Sequence, residues 1–552
     1  MAKVSFKTLA GVSPELFPIN IFDKIPQNHP VRLVNSVVDQ LDLSKIIAMY
    51  KGGGCSAYHP RMLVKVLFYS YLSNIYSCRK IEKALSENIH FMFIASNSLP
   101  DFRTINDFRG KKLKKHIHQL FSEVVKMLVE MGYVSLDVQY IDGTKIESSA
   151  NRYTFVWKGS VEKNKAKLEG KINKILTDIE SSIQSDNQQA NTEQLPQTID
   201  TVQLKAKLSE INKKLKTPTK QQAKELTKLQ EEHLPKLEEY EKKLETLGTR
   251  NSYSKTDKDA SFMRLKDDHM QNGQLKPAYN SQISTENQFI THASIHQTAG
   301  DTTTLDSHLA GFEQAYDKQS KIVVADAGYG SEENYEILAS KQIIGYVKYN
   351  YFHKEQKKRF KNNPFVTQNL YYNAQEDYYV CPMGQHMTKV GEGKRVSGNG
   401  YTATVSYYQA QRCEQCPLRG MCHQGKGNRK IEVNHRLNEL KRKTRELLKS
   451  EQGKEHRSRR AVEVEAVFGQ LKSNNNFNRF TMRGLQKVTL EFLLMAMGHN
   501  LRKMAAKLIK ETSYPVFGCT ISSMYAKNPT KEISKENLIE LYPIIKQMAT
   551  AA

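Results

Sequence analysis

Three acidic positions carry the chemistry available to this sequence. Asp142 follows the apolar lead-in of YIDGTKI at 140–146, and Asp326 ends the apolar run of IVVADAGYG at 322–330. Glu465 lies in RAVEVEAVFGQLK at 460–472. Cleavage and transfer of phosphodiesters combine poor nucleophiles with charged transition states. A pair of divalent ions about 3.5–4 Å apart activates the attacking oxygen and stabilises the leaving one. Hard ions such as Mg²⁺ take carboxylate oxygens. Two aspartates at strand ends, each followed by a glycine-containing turn, and one glutamate on a helix can form such a cage. Lys472 stands seven residues after Glu465, on the same helix face two turns on, and can hold a phosphate. Glu463 points to a different face and ranks second for the helix position. Glu491, inside an apolar run, and Asp257 and Asp259, in TDKDASF, read as structural acids.

Sulfur forms a second set. Cys413 and Cys416 make a C-x-x-C, Cys422 follows six residues later, and Cys381 in VCPMG is a fourth thiol, with His386 and His423 in reserve. Four thiolates suit a tetrahedral structural Zn²⁺; the alternative is a group of reduced thiols. Cys55, Cys78 and Cys519 are isolated and carry no chemistry.

These residues need elements to present them. Residues 1–57 hold Pro14, Pro18, Pro26 and Pro30, an extended arm leading into a helix, with a flexible break, KGGG, at 51–54. Pro60 opens a helix with Leu63, Val64, Leu67, Phe68, Tyr71 and Leu72 inward. A second helix spans 77–88. A third begins at DFRTINDFR, 101–109, and runs into the basic stretch 111–118. Phe102, Ile105 and Phe108 anchor that helix. Arg103 and Asn106 then face outward, suited to base contacts, with Arg109, Lys111 and Lys112 as further DNA contacts. Short helices with trailing cations suit a helix-turn-helix-like reader or a plain helical bundle.

Beyond residue 137, strands flank Asp142. The 158–248 stretch, rich in Lys, Glu and Gln with Leu and Ile at helical spacing, reads as an antiparallel helical hairpin inserted into the catalytic domain, with a coiled-coil dimer arm as the competing reading. Strands resume at 278–285 and 288–296. Helix, strand, helix and strand follow to residue 349, which describes a mixed α/β sheet. Residues 351–439 form a small Cys-rich insertion. Helices return from 440 to 510, and the tail 511–552 is uninformative.

Lys+Arg 82 against Asp+Glu 58 gives a net charge of +24 over 552 residues, which favours a polyanionic partner, nucleic acid first. No secretory leader or membrane-length apolar run is visible, so a soluble, cytoplasmic protein with no membrane partner is expected.

Together, YIDGTKIESSANRYTFVW, VVADAGYGSEENY and VEVEAVFGQLKSNNNFNRFTMRGL resemble the DDE transposases of bacterial insertion sequences. AYHPRMLVKVLFYSYL, YSCRKIEKAL and PDFRTINDFR resemble the InsH-type N-terminal domain of such enzymes. The resemblance runs through residues 15–510. It implies a ribonuclease H-like core, split over 137–350 and 440–510, and an all-α DNA-binding domain over 15–130. It also implies Mg²⁺- or Mn²⁺-dependent cleavage and joining of double-stranded DNA at transposon ends. The family's two aspartates map onto Asp142 and Asp326, and its glutamate onto Glu465. Its glutamate-six-residues-lysine signature is met by Glu465 and Lys472. The upstream arginine offset falls on Ala461, with Arg460 beside it as the candidate phosphate contact, and no tyrosine stands at its offset. The expected function is a transposase that binds terminal inverted repeats and transfers strands with two metal ions, working as a homodimer in the synaptic complex. A catalytically inactive transposase-derived DNA-binding protein and a simple nuclease are the alternatives.

Overall fold

The computed structural model describes residues 20–50, 56–187, 199–214, 219–265 and 273–513. The proline-bearing arm before residue 20, the 51–54 break, Cys55, Cys519 and the tail beyond 513 lie outside the described residues, as does 188–198 of the polar break in the inserted arm. The chain divides into two units. One holds residues up to Val124 together with those from Leu494 on; the other is Val125–Leu493.

The first unit is helical. Pro30–Gln40 and Pro60–Leu72 each start on a proline, whose missing N–H would have had no helical partner there. The rings of His29 and His59 accept the next free N–H. Leu63, Val64, Leu67, Phe68 and Tyr71 are buried. Cys78–Glu87 and Ile89–Ile94 follow, then Phe102–Asp107, which is capped by the Asp101 carboxylate accepting from Thr104 N at 2.7 Å. The basic stretch beyond is not one helix. A π-turn, Phe108–Lys112, and a 3-10 turn, Leu113–Lys115, precede Ile117–Glu130. The second part of the last helix, Leu485–Ser513, belongs to this unit from Leu494 on. Gly498 permits it, since a Cβ there would stand 2.8 Å from the Tyr71 backbone.

The second unit is built on a six-stranded mixed sheet. β1 is Val138–Glu147, β2 Phe155–Trp157, β3 Ser252–Ser254, β4 Ser261–Arg264, β5 Leu275–Glu286, β6 Phe289–His296, β7 Ile322–Ala325 and β8 Ile344–Val347. β5 pairs antiparallel with β1 on one side and with β4 and then β6 on the other. β1 pairs parallel with β7, and β7 with β8. Helices Leu305–Tyr316 and Glu332–Ser340 make the connections to the parallel strands. One core joins Tyr140, Ile141, Leu305, Leu309, Val323, Val324, Leu338, Val347 and Val464, drawing on both faces of the sheet, since neighbours such as Tyr140 and Ile141 point to opposite sides. β5 and β6 turn tightly through Asn287 and Gln288, both at positive φ.

Two insertions depart from this sheet. The expected helical hairpin is a bundle of three helical stretches: Lys158–Asn187, Thr201–Lys214 and a third running from Lys220 through a π-turn to Leu247. Pro235 does not end that third stretch, because it falls at the start of the helix after the π-turn. One core serves all three, with Leu168, Ile172, Leu176, Leu204, Leu208, Leu226, Leu229 and Leu237 buried together. β2 and β3 pair at its base. The Cys-rich insertion carries five antiparallel strands, β9 (Tyr371–Asn373), β10 (Tyr378–Val380), β11 (His386–Val396), β12 (Thr402–Gln409) and β13 (Lys430–Val433), paired in sequence order. No helix among the described residues is long and apolar enough to cross a membrane.

Candidate active site

The register of the parallel strands aligns the acids. Tyr140 on β1 pairs with Val324 on β7, so two residues on, Asp142 lies beside Asp326. Asp326 terminates β7 as expected. It opens a 3-10 turn in which its Oδ1 accepts from Gly328 N at 2.8 Å. Asp142 differs from the expectation: β1 continues through it, and Gly143 and Thr144 do not turn the chain but pair with Gln282 and Ser281. A Cβ at Gly143 would press on the hydrogen-bonded ends of the Gln282 and Asp301 side chains, which glycine leaves in place.

Glu465 arrives on the helical segment that begins as Glu451–Arg460 and continues through a π-turn, Ala461–Glu465. The helix is held over the sheet by His456 and Gln452. Tyr140 Oη meets His456 Nδ1 at 2.9 Å, and Tyr346 Oη donates to Gln452 Oε1 at 3.2 Å. Burial pushes the Tyr140 hydroxyl up to about 12, so it stays protonated. In an α-helix, residues five apart point well away from each other. The extra residue of a π-turn brings them to one side, a geometry common at functional sites. Arg460 and Glu465 are so related, and Arg460 Nη1 donates to Glu465 Oε1 at 2.9 Å.

Arg460 is the centre of the constellation. Its side chain is only 7 % exposed, and Nη2 stands 2.8 Å from Asp142 Oδ2 and 3.9 Å from Asp326 Oδ2. Its Nε is buried without a hydrogen-bond partner. One guanidinium therefore draws on all three carboxylates, in the place that a cation between them would take. Among the described residues, no three His, Cys, Asp or Glu side chains are close enough together to hold a metal ion as they stand. The guanidinium spaces the acids. Their charge and hard oxygens nevertheless suit a divalent ion, and one oxygen of each aspartate is already oriented by a backbone N–H, from Gly143 and from Gly328.

The rival acids have other partners. Glu463 is buried and accepts from Gln288 N at 2.7 Å, bracing the β5–β6 turn. Glu491 is fully buried and accepts from the backbone N–H groups of Thr481 and Met482. Asp257 accepts from Ser148, Tyr279 and Gly484, and Asp259 from Leu485 N. Lys472 sets its Nζ 3.4 Å from the Lys145 carbonyl on β1. One functional candidate escaped the reading of the sequence. Val347 pairs with Ala325, so Lys348 occupies on β8 the place that Asp326 has on β7. Its ammonium is disfavoured by burial first and then by Arg460 and Arg457. The register of VVAD against GYVK was the available signal.

The four cysteines Cys381, Cys413, Cys416 and Cys422 line one small cavity of about 20 Å³, with Arg429. All four are free thiols. The four expected zinc ligands are thus brought together, and the structure does not support a zinc site among them. Arg429 donates to Cys422 Sγ at 3.1 Å and, through its backbone N–H, to Cys413 Sγ at 3.4 Å. The guanidinium thus meets one sulfur and the backbone N–H another, and among the described residues the group is not spaced as a metal site.

In the helical unit, Arg103 and Asn106 are exposed and Lys111 is exposed in a pair with Asp107 at 2.8 Å. Arg109 does not reach the surface expected of it. It is 5 % exposed, and its guanidinium donates to Tyr71 Oη and the Tyr76 carbonyl, because the π-turn that begins at Phe108 rotates it inward. Lys112 sets its ammonium over the Tyr50 ring.

Two families match the chain. One, described as a Transposase domain (DUF772), covers residues 19–111, and the other, described as a Transposase DDE domain, covers residues 380–505. The second match includes Arg460 and Glu465 and begins after both aspartates. No curated protein matches the chain.

Proposed function

We propose that this chain, a transposase of the DDE insertion-sequence family, cuts DNA at the ends of its element and joins those ends to a target. One observation carries the reading. Asp142, Asp326 and Glu465, from three elements widely separated in sequence, gather around the single guanidinium of Arg460. The strand order β6-β5-β1-β7-β8, three strands antiparallel and two parallel, supports a ribonuclease H-like core.

The three carboxylates are the residues to hold Mg²⁺ or Mn²⁺, which when bound would activate the attacking oxygen and stabilise the leaving one. Asp142 and Asp326 each tie one oxygen to a backbone N–H and leave the other to face the centre. Arg460, released from the acids, and Lys348 in register beside Asp326 are the cations to grip the phosphodiester. Exposed Arg103, Asn106 and Lys111 serve end recognition, with Lys472 as a phosphate contact along β1. The enzyme works on double-stranded DNA in the cytoplasm, as a homodimer on paired ends.

The test is cleavage of linear DNA carrying the element's ends. The wild-type protein cuts and joins with Mg²⁺ or Mn²⁺ and stops when the ion is chelated. Asp142→Asn and Asp326→Asn remain folded and bind the ends but fail to cut. A wild-type protein that binds ends and cuts in neither ion would return the chain to the class of DNA-binding proteins.

A further inference from the structure

We infer that Tyr153, Phe155 and Trp157 form a stacking platform for unpaired bases of a DNA strand, whose phosphates Arg152, Arg479 and Arg483 hold. The inference extends the DNA-cutting reading proposed above and rests on it for the kind of polymer bound.

β2 has two unlike faces, because side chains alternate along a strand. Val156 packs with Val161, Leu247 and Tyr253 in a small core at the base of the inserted arm. Phe155 and Trp157 point the other way, in register with Ser254 and Ser252 of β3. Their ring centroids are 6.0 Å apart, and each stands 5.9 Å from Phe262 of β4. The planes cross at 53°, 84° and 47°, so no two of these rings are stacked face to face. Phe262 is buried, but Phe155 is 50 % exposed and Tyr153, two residues before it, 77 %. The ribbon is thus anchored through one face and leaves aromatic rings in water on the other. Clustered apolar surface of this kind marks an interaction site. A base of any identity offers such rings a flat π-face.

The chain between Asp142 and the rings is bordered by cations. Glu147, at the end of β1, is one carboxylate shared by two guanidinium groups, with Arg152 Nε 2.9 Å and Arg479 Nε 3.7 Å from its Oε1. Arg479 also donates to the Ser148 and Ala150 carbonyls, and Arg483 to that of Ser149. Both belong to NRFTMRGL at 478–485, a motif to which the catalytic acids give no task. The arginines fasten the segment that leads from β1 to the platform, and all three remain exposed. Positive charge that tracks a backbone beside rings that stack bases is the make-up of a single-strand groove. A second copy of the chain would bring the same arginines to the surface and be repelled by them, whereas a polyanion is attracted. β1 spans roughly 17 Å from Asp142 to Glu147 at the rise of a strand, so one DNA strand can pass both the carboxylates and the rings.

The test uses the full chain, in which Trp157 is the only tryptophan, so its emission reports on the platform. A short single-stranded deoxythymidine oligomer should quench that emission, whereas a blunt duplex of equal length should bind without quenching it. Phe155→Ala and Tyr153→Ala should each weaken single-strand binding about fivefold or more, read by anisotropy of a labelled oligomer, and leave duplex binding unchanged. Arg483→Ala should reduce the salt slope on the single strand by about 0.7 unit. Tyr153 is exposed enough to be replaced without unfolding, which keeps the test decisive should Phe155→Ala misfold. Single-strand binding that neither quenches Trp157 nor responds to Tyr153→Ala overturns the inference, as does duplex binding with no single-strand binding. Emission that shifts with protein concentration alone would make the patch a contact between copies and overturn it too. Binding of neither polymer overturns the DNA-cutting reading as well.

Discussion

Glu463 and Glu465 stand two residues apart on one helical segment and have opposite surroundings. Glu463 is 4 % exposed and accepts a backbone N–H of the β5–β6 turn, whereas the Glu465 side chain is 57 % exposed and answers Arg460. A buried, charge-assisted hydrogen bond is worth roughly 1.5–3 kcal/mol. Glu463→Gln should therefore lower the thermal unfolding midpoint by several degrees and leave cleavage per folded molecule unchanged. Glu465→Gln should leave the midpoint near wild type and reduce cleavage by roughly a hundredfold or more, the scale on which removing a direct electrostatic contact acts. Differential scanning calorimetry beside a nicking assay separates the two, and a reversed pattern would move the helix acid to Glu463. The apolar run into Asp326 and the offset from Glu465 to Lys472 were visible in the sequence. The role of Gly143 was not. A glycine after a strand aspartate suggests a turn, and only the Gln282 and Asp301 side chains show that it clears space inside a continuing strand. Arg109 misled for a similar reason. Periodicity assumes α-helical phase, and the π-turn Phe108–Lys112 breaks it.

The inserted arm shows what an element can do independently. Leu and Ile spacing over 158–248 made helices legible, but their number was not, because a proline usually ends a helical run and Pro235 falls at a helix start instead. The arm buries its own leucines, separate from the core of the large sheet. Its two ends meet at the pairing of Trp157 with Ser252. A two-residue Asn-Gly turn can close such an antiparallel pair. Replacing 158–251 by that turn should leave the sheet folded, with a single cooperative unfolding transition and Mn²⁺ binding within about twofold of wild type, since that scale is set by the ligands and their supports. Loss of metal binding in a folded deletion protein would make the arm part of the active centre. Retained binding would confine it to handling DNA or a second protomer.

At the scale of the whole molecule, the +24 charge requires a test of which cations meet DNA. Counterion release makes log K fall with log salt by about 0.9 per phosphate neutralised. Lys111 qualifies as a phosphate contact. Its pair with Asp107 is exposed on both sides, 73 % and 60 %, and such pairs are worth at most about 1 kcal/mol, so a phosphate can replace the aspartate. Lys112 is already engaged with Tyr50, and burial disfavours its charged form. Lys111→Ala should thus reduce the salt slope by about one unit on every DNA sequence, whereas Lys112→Ala should leave the slope unchanged. Arg103 is exposed beside the Phe102 ring, and Asn106 is exposed one helical turn on, as base-reading residues must be. Replacing Arg103 with alanine should narrow the gap between end-bearing and scrambled duplexes, by about 1–3 kcal/mol if it grips a guanine. The measurement belongs on the full chain, because residues from Leu494 on complete the helical unit and a fragment ending near residue 130 would lack them. Fluorescence anisotropy with both duplexes across a salt series reads slope and preference together. An unaltered preference in Arg103→Ala, with binding otherwise intact, would transfer end recognition to another element of the chain.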